Sequence, residues 1–178
     1  MIFENKDFYV DLLEKEDLKD IVEIYNSNID FLKNHLNTGT VTYEWMDNEL
    51  ETMKKANFYS CKIIKKNTNE IIGLIDFKIG KETYLSLLMV HKKYKNKGVG
   101  KSIYQSLEKY VKLFKSNCIR IDVVTNYDKN VIDFWSRNGF KNIKEIQLNW
   151  GDKILPAIIM KKKIAKIQMT NIAEEKVQ

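Results

Sequence analysis

Apolar residues recur along the first third of the chain at intervals typical of helices. Phe8–Leu13 is dense in aromatic and β-branched residues and predicts a first strand. Apolar positions three or four residues apart then predict helices over Leu18–Tyr25 and Tyr43–Ala56. The polar stretch Asn26–Thr42 between them holds one apolar patch, which predicts a short helix and a loop.

The pattern changes to strands after residue 57. Phe58–Lys66 and Ile71–Ile79 are rich in strand-forming residues, and turn-forming residues separate them, which predicts a hairpin. A turn at Gly80-Lys81 leads to a third strand, Thr83–Val90. These three strands form an antiparallel meander.

The second half alternates helix and strand. Val99–Phe114 has one apolar face and predicts a helix, and the almost wholly apolar Ile119–Thr125 predicts a strand beside the third one and parallel to it. A helix over Lys129–Asn138 ends at Gly139. Phe140–Trp150 and Ile154–Ile164 predict two final strands. The chain is therefore expected to form one α/β domain over residues 1–164, with a polar tail over residues 165–178.

Charge and composition narrow the class of partner. The 178 residues carry a net charge of +6, but apart from Arg120 and Arg137 the cationic side chains are lysines, whereas base readout favours arginine. We therefore expect no nucleic-acid partner. The N-terminus lacks a signal-peptide pattern and no apolar run is long enough to span a membrane, which predicts a cytoplasmic protein without a membrane partner. The two cysteines, Cys61 and Cys118, are expected to be free thiols.

Lysines cluster in one place, the turn between the third strand and the helix that follows. Residues 95–102 carry two glycines where a helix begins, and such a turn directs unpaired backbone N–H groups at an anion. Gly100-Lys101-Ser102 also matches the end of the nucleotide-binding P-loop. That motif requires a glycine at the position of Lys95, and its strand does not belong to a meander, so we reject this alternative.

The segment Tyr94–Lys101 resembles the Q/R-x-x-G-x-G/A motif of the GCN5-related N-acetyltransferase (GNAT) superfamily, with Lys95 at the Gln/Arg position. Val131–Phe140, a helix with an aromatic pair followed by Gly-Phe, is similar to the family's downstream segment. The order of elements over residues 7–164 also matches. The resemblance implies a mixed α/β fold, with a mostly antiparallel central sheet of about seven strands and helices on both faces.

The resemblance also implies a binding site for acetyl-CoA and no metal. Its pyrophosphate would lie on the glycine turn and its pantetheine arm in a gap between the third strand and the strand parallel to it, with Leu88–Val90 beside the acetyl group and Ile121–Asn126 on the other side. The implied contact residues are Leu88, Met89, Val90, Lys95, Asn96, Lys97, Gly98, Val99, Gly100, Lys101, Ser102, Asn126, Asp128, Asn130 and Trp135, with Asp128 at the position of a family asparagine.

Acyl transfer to an amine requires a base for the ammonium and benefits from an acid at the thiolate. In the family that the chain resembles, a tyrosine on the downstream helix often serves as the acid, and Trp135 stands at that position here. Either another group serves, with Tyr127 and Tyr104 as candidates, or the thiolate leaves unassisted. Alternation along the third strand places Glu82, Tyr84 and Ser86 on one face, which makes Glu82 and Tyr84 catalytic candidates. A backbone N–H of Met89 or Val90 is the candidate donor to the carbonyl oxygen. Asp76 on the previous strand and Glu44 are further candidates for the base. Candidate residues of the acceptor pocket are Tyr25, His35, Glu44, Trp45, Asp76 and Trp150.

The sequence thus predicts an acetyl-CoA-dependent N-acetyltransferase that acts, as a monomer or homodimer, on a primary amine of a small molecule or peptide. The missing tyrosine keeps open a non-catalytic acyl-CoA sensor.

Overall fold

A computed structural model describes residues 1–126, 128–150 and 153–165. Tyr127 and most of the predicted tail lie outside these residues. The described part contains eight strands and five α-helices: β1 Phe3–Glu4, β2 Phe8–Leu12, α1 Leu18–Ser27, α2 Ile29–Leu36, α3 Tyr43–Lys55, β3 Tyr59–Lys65, β4 Glu70–Lys78, β5 Glu82–Val90, α4 Val99–Lys112, β6 Cys118–Val124, α5 Lys129–Arg137, β7 Lys141–Trp150 and β8 Lys153–Lys163.

All the strands belong to one open sheet, in the order β1-β2-β3-β4-β5-β6-β8-β7. Among the described strands, β5 and β6 form the parallel pair and the other neighbours are antiparallel, which confirms the predicted mostly antiparallel sheet and the parallel strand. The sequence pattern predicted about seven strands. It did not include β1, which is too short to show an alternation.

Helices cover both faces of the sheet, as predicted. On one face, α4 and α5 bury Ile103, Tyr104 and Trp135 against the strands. On the other, α1, α2 and α3 bury a second cluster that includes Leu18 and Leu32. No helix of the described chain has the length and apolarity needed to cross a bilayer. Cys61 and Cys118 are free thiols.

The sheet opens at its centre. β5 pairs with β6 only from Glu82↔Cys118 to Tyr84↔Arg120, whereas β6 pairs with β8 along its whole length. On the other side of β5, Asp76 is opposite Leu87 and Phe77 is opposite Leu85, so Ser86 is the extra residue of a β-bulge. The bulge lies where β5 leaves β6, and the two strands diverge towards the glycine turn.

Candidate active site

A cavity of about 460 Å³ fills the gap between the diverging strands. Its walls come from β5 and β6, from α2 and the start of α5, and from the end of β7. The lining residues are Asn28, Asp30, Phe31, Asn34, His35, Leu85–Val90, Lys95, Ile121–Val124, Asp128, Val131, Trp135 and Trp150. The cavity therefore brings together eight of the residues proposed from the sequence, namely Leu88, Met89, Val90, Lys95, Asp128, Trp135, His35 and Trp150.

The backbone of β5 presents polar groups to this gap. The N–H of His91 donates to the carbonyl of Ile72 (2.8 Å), and antiparallel pairing alternates between partners from one residue to the next. The backbone groups of Met89 therefore belong to the ladder with β4, while those of Leu88 and Val90 point towards β6. The Asn28 amide agrees with this direction, because its Nδ2 donates to the Val90 carbonyl (3.1 Å). Of the two predicted carbonyl-oxygen donors, the geometry favours Val90 over Met89.

Asn28 connects the junction of α1 and α2 to this strand. It is 4% exposed, and its Nδ2 also donates to the Ile24 carbonyl (2.8 Å).

We expect Asn28→Ala to lower the free energy of unfolding by about 1–3 kcal/mol, because buried carbonyls lose their donor. Urea denaturation measures the change. Asn34→Ala is the matched control, since the Asn34 amide donates to the carbonyl of Asp30 in a solvent-exposed hydrogen bond of α2. Equal effects for the two variants would contradict the prediction.

The glycine turn forms the floor of a second cavity, of about 330 Å³, which shares Val90 and Lys95 with the first. Asn96 (φ 60°) and Gly98 (φ 78°) have left-handed backbone conformations that turn the chain into α4. Gly98 is the N-cap and makes no side-chain capping hydrogen bond. The N–H groups of the first turn of α4 are thus available to an anion.

The turn has room for a phosphate group. A Cβ at Gly98 would have no atom within 4 Å, and one at Gly100 would lie 3.7 Å from the ring of Phe134. The predicted residues Lys95, Asn96, Gly98, Val99, Gly100 and Lys101 all line this second cavity. The donor set, backbone N–H groups among lysines, is suited to the pyrophosphate of CoA.

Four other predicted cofactor contacts lie outside both cavities. The Lys97 ammonium is 5.9 Å from the centre of the Tyr94 ring, and Ser102 Oγ accepts a hydrogen bond from Asn5 Nδ2 (3.1 Å). Asn126 is exposed, and the Asn130 N–H donates to Asp128 Oδ1 (2.9 Å), which caps α5. Asp128 therefore has a helix-capping role at the position of the family asparagine.

Aromatic side chains pack together where α5 borders the cavity. Trp135 is 7% exposed and contacts Tyr104 edge to face, with ring centres 5.5 Å apart. Tyr104 is fully buried outside the cavity, where its hydroxyl donates to Glu108 Oε2 (2.9 Å). Burial and the Glu108 carboxylate raise the pKa of Tyr104. Its proton is directed away from the cavity, so the geometry does not support Tyr104 as the acid.

Glu82 and Tyr84 lie at the closed end of the β5–β6 pair rather than in the cavity. Glu82 forms ion pairs with Lys161 and, at 3.9 Å, with Arg120. Partial burial acts to raise the pKa of Glu82, but the hydrogen bonds from Lys161 and Cys118 outweigh it and leave the pKa below its usual value. A carboxylate held in this way is a weak base, so its environment argues against the predicted catalytic role.

Tyr84 is directed at a different carboxylate. Its hydroxyl donates to Asp122 Oδ2 (3.3 Å), and burial and the Asp122 charge raise the pKa of Tyr84 to about 12. Arg120 also binds Asp122 through Nε (2.9 Å) and Nη2 (2.8 Å). Asp122 lines the cavity and lies within the range Ile121–Asn126 that the sequence analysis placed beside the gap, but it was not among the candidate catalytic residues. Its position on the strand beside the gap was the signal that could have identified it.

The side of the cavity between α2 and the end of β7, which we call the acceptor side, has a wall of aromatic rings. His35 stacks on Phe31 with ring centres 4.0 Å apart, and Trp150 contacts His35 edge to face at 5.2 Å. Burial lowers the pKa of His35 to about 4, so its ring is neutral near pH 7. Of the predicted pocket residues, His35 and Trp150 lie here.

The remaining four predicted pocket residues do not line the cavity. Tyr25 is buried and contacts Trp45 edge to face, so both belong to the core under α1 and α3. Glu44 is exposed in the first turn of α3. Asp76 is buried on β4, behind the cavity wall.

A cavity between two diverging strands, bounded by an anion-binding glycine turn, defines a site for an extended phosphorylated ligand. The sequence profile of the acetyltransferase (GNAT) family matches residues 21–140. The chain belongs to this family. No curated protein matches the chain significantly.

Solved structures share the fold at low sequence identity. A GNAT-family acetyltransferase from Bacillus anthracis has a TM-score of 0.74 at 19% identity, with 92% of this chain and 98% of that chain covered. Spermidine N-acetyltransferase from Vibrio cholerae, in complex with CoA and spermine, has a TM-score of 0.72 at 12% identity, covering 91% and 98%. PaiA N-acetyltransferase from Thermoplasma acidophilum, in complex with coenzyme A, has a TM-score of 0.62 at 20% identity, covering 88% and 98%.

Proposed function

We propose that the protein is an acetyl-CoA-dependent N-acetyltransferase that acts on a primary amine of a small molecule or peptide, by direct attack in a ternary complex. The observation that carries the proposal is the continuity of the strand gap with the glycine turn through Val90 and Lys95. A CoA pyrophosphate on the turn can extend its pantetheine arm along β5. The similarity to structures that contain CoA, one of them with spermine, supports an amine acceptor.

Some residues of the site bind the cofactor, and others polarise the acyl carbonyl or shield the acceptor amine from water. Backbone N–H groups of residues 98–101 bind the pyrophosphate, and Leu88 and Val90 offer backbone hydrogen bonds to the pantetheine arm and the carbonyl oxygen. Acetyl-CoA supplies the activated acyl group and a thiolate leaving group. Phe31, His35 and Trp150 face the acceptor with apolar ring surfaces, which exclude water from the attacking amine.

A thiol-release assay with acetyl-CoA and a panel of polyamines, aminoglycosides, amino acids and peptide N-termini tests this function. We expect at least one amine to raise thiol release well above the hydrolysis rate, with the acetylated amine detected by mass spectrometry. Calorimetric titration with CoA is run in parallel. No CoA binding would refute the proposal at its first step.

A sensor that binds acyl-CoA without turnover is the second candidate, and the environment of Trp135 and Tyr104 favours it. An indole has no readily transferred proton, and the Tyr104 hydroxyl is bound to Glu108. Tight CoA binding with no acetylated product from any amine in the panel would support the sensor.

A further inference from the structure

Among the described residues, three carboxylates line the candidate active-site cavity, and one of them has no partner. Asp122 is bound by Arg120, and Asp128 Oδ1 accepts a hydrogen bond from the Asn130 N–H as the cap of α5. Asp30, in the first turn of α2, forms no ion pair and no side-chain hydrogen bond within the described chain. It is exposed and lies at the rim of the acceptor side. Its negative charge is therefore available to a ligand.

A buried asparagine places a second acceptor oxygen close to Asp30. Asn28 is 4% exposed, and its Nδ2 donates to the carbonyls of Ile24 (2.8 Å) and Val90 (3.1 Å), which fixes the orientation of the amide. Its Oδ1 accepts no hydrogen bond from the residues that the structure describes, and Asn28 lines the cavity. The N–H of Val90 is the favoured donor to the acyl carbonyl. The Asn28 oxygen therefore lies where an N–H group of the attacking amine can donate to it.

The nitrogen donors of α2 and the β7–β8 hairpin are already used by backbone carbonyls. Asn34 Nδ2 donates to the Asp30 carbonyl (2.7 Å), and Lys153 Nζ donates to the carbonyls of Lys33 and Asn34 at the end of α2 (3.3 Å each). An anionic group of an acceptor would find neither of these two nitrogens free. The wall therefore favours a ligand that donates hydrogen bonds and carries positive charge.

The aromatic rings beside these groups suit an alkyl chain. Phe31 follows Asp30 along α2 and contacts Trp150 edge to face, with ring centres 6.1 Å apart. Ring faces pack against methylene groups and attract an ammonium group. Asn28 and Asp30 are two positions apart, so their Cα atoms are separated by at most about 7 Å, a distance that about four to six carbon atoms joined by bonds of about 1.5 Å can span.

We propose that the acceptor is an aliphatic diamine or polyamine and that Asp30 binds its second ammonium group. The inference rests on the proposed function and names the substrate class of the same site. Asn28 Oδ1 orients the reacting nitrogen beside Val90, and the alkyl spacer lies on the aromatic wall. The Asp30 carboxylate pairs with the distal ammonium group. Asp30 is then a specificity-determining residue that selects acceptors by the charge at their far end.

Three acceptors with the same five-carbon spacer test the role of Asp30: diaminopentane with an amino group at each end, pentylamine, and aminohexanoate, whose far end is a carboxylate. At low ionic strength, kcat/KM of the wild type should be at least about 10-fold higher for diaminopentane than for pentylamine, the value of one charge-assisted hydrogen bond, and lowest for aminohexanoate. Asp30→Asn should remove the preference by raising KM for diaminopentane, with little change for pentylamine. Asp30→Lys should invert it in favour of aminohexanoate.

Two other variants control for general effects on the site. Asp20→Asn removes an exposed carboxylate from the first turn of α1, outside the cavity, and should leave the ratio of the diaminopentane and pentylamine values unchanged. Asn28→Ala should lower both values by the same factor, because Asn28 contacts the nitrogen that the two amines share. Equal values for the two amines in the wild type, or a preference that Asp30→Asn preserves, would overturn the role of Asp30.

Calorimetric titration of diaminopentane into the CoA-bound protein separates that failure from a failure of the proposed function. Binding that weakens about 10-fold in Asp30→Asn, with no acetylated product from any amine, would overturn the proposed function and support the Asp30 site. Product formation with diaminopentane affinity that is the same in wild type and Asp30→Asn would overturn the Asp30 site alone. Neither binding nor product would overturn both.

Discussion

Gly100→Glu is expected to weaken CoA binding by at least about 100-fold while leaving the fold intact. The new side chain would start from the first turn of α4, where backbone N–H groups face the second cavity. It would place a negative charge against the pyrophosphate and block access to the N–H donors. Charge-assisted hydrogen bonds contribute about 1.5–3 kcal/mol each, so losing two of them accounts for the expected factor.

The same substitution should not unfold the protein. A Cβ at Gly100 meets only Phe134, at an ordinary contact distance of 3.7 Å. An acidic side chain in the first turn of a helix is favoured by the helix dipole. Calorimetric titration with CoA and thermal unfolding of the same samples measure the two effects. Gly39→Glu is the matched control, because Gly39 is exposed and its Cβ would have no atom within 4 Å. Unchanged CoA affinity in Gly100→Glu would contradict the proposed anion site.

Much of the fold could be predicted because apolar residues recur at regular intervals along its strands and helices. The hairpin of β3 and β4, the parallel strand β6 and the helix after the glycine turn all follow from local apolar patterns. Two features could not be predicted this way. β1 has only two residues, and the apolar sequence of β5 does not reveal the bulge at Ser86. The bulge places Leu87 on the same face as Ser86, which a strict alternation would not predict.

The donor side of the candidate site was more predictable than the acceptor side for a physical reason. Anion binding by backbone N–H groups requires glycines at fixed spacing, and a sequence displays them directly. The acceptor side is assembled from distant segments, such as His35 of α2 and Trp150 of β7. The chemistry of a carboxylate there depends on its partners: Arg120 holds Asp122, Lys161 holds Glu82, and Asp76 keeps one free oxygen. These partners become known only when the strand register is known.

Asp76→Asn is expected to stabilise the protein above pH 7 and to lose that advantage in acid. The pKa of Asp76 rises from an ordinary value of 3.8 to about 7 on folding, chiefly through burial. The folded state therefore holds a proton that the unfolded state releases between these values, and wild-type stability falls as pH rises through that range. The full difference corresponds to about 4 kcal/mol. Asparagine carries no charge, so this cost is absent in the variant.

Urea denaturation of wild type and Asp76→Asn at pH 4.5 and pH 8.5 isolates the contribution of this one group. We expect the variant to gain about 3 kcal/mol relative to wild type between the two conditions, somewhat less than the full range because part of it lies below pH 4.5. Asp20→Asn, at an exposed position of α1, should show no such dependence. A stability difference between wild type and Asp76→Asn that is the same at both pH values would mean that Asp76 is ionised throughout.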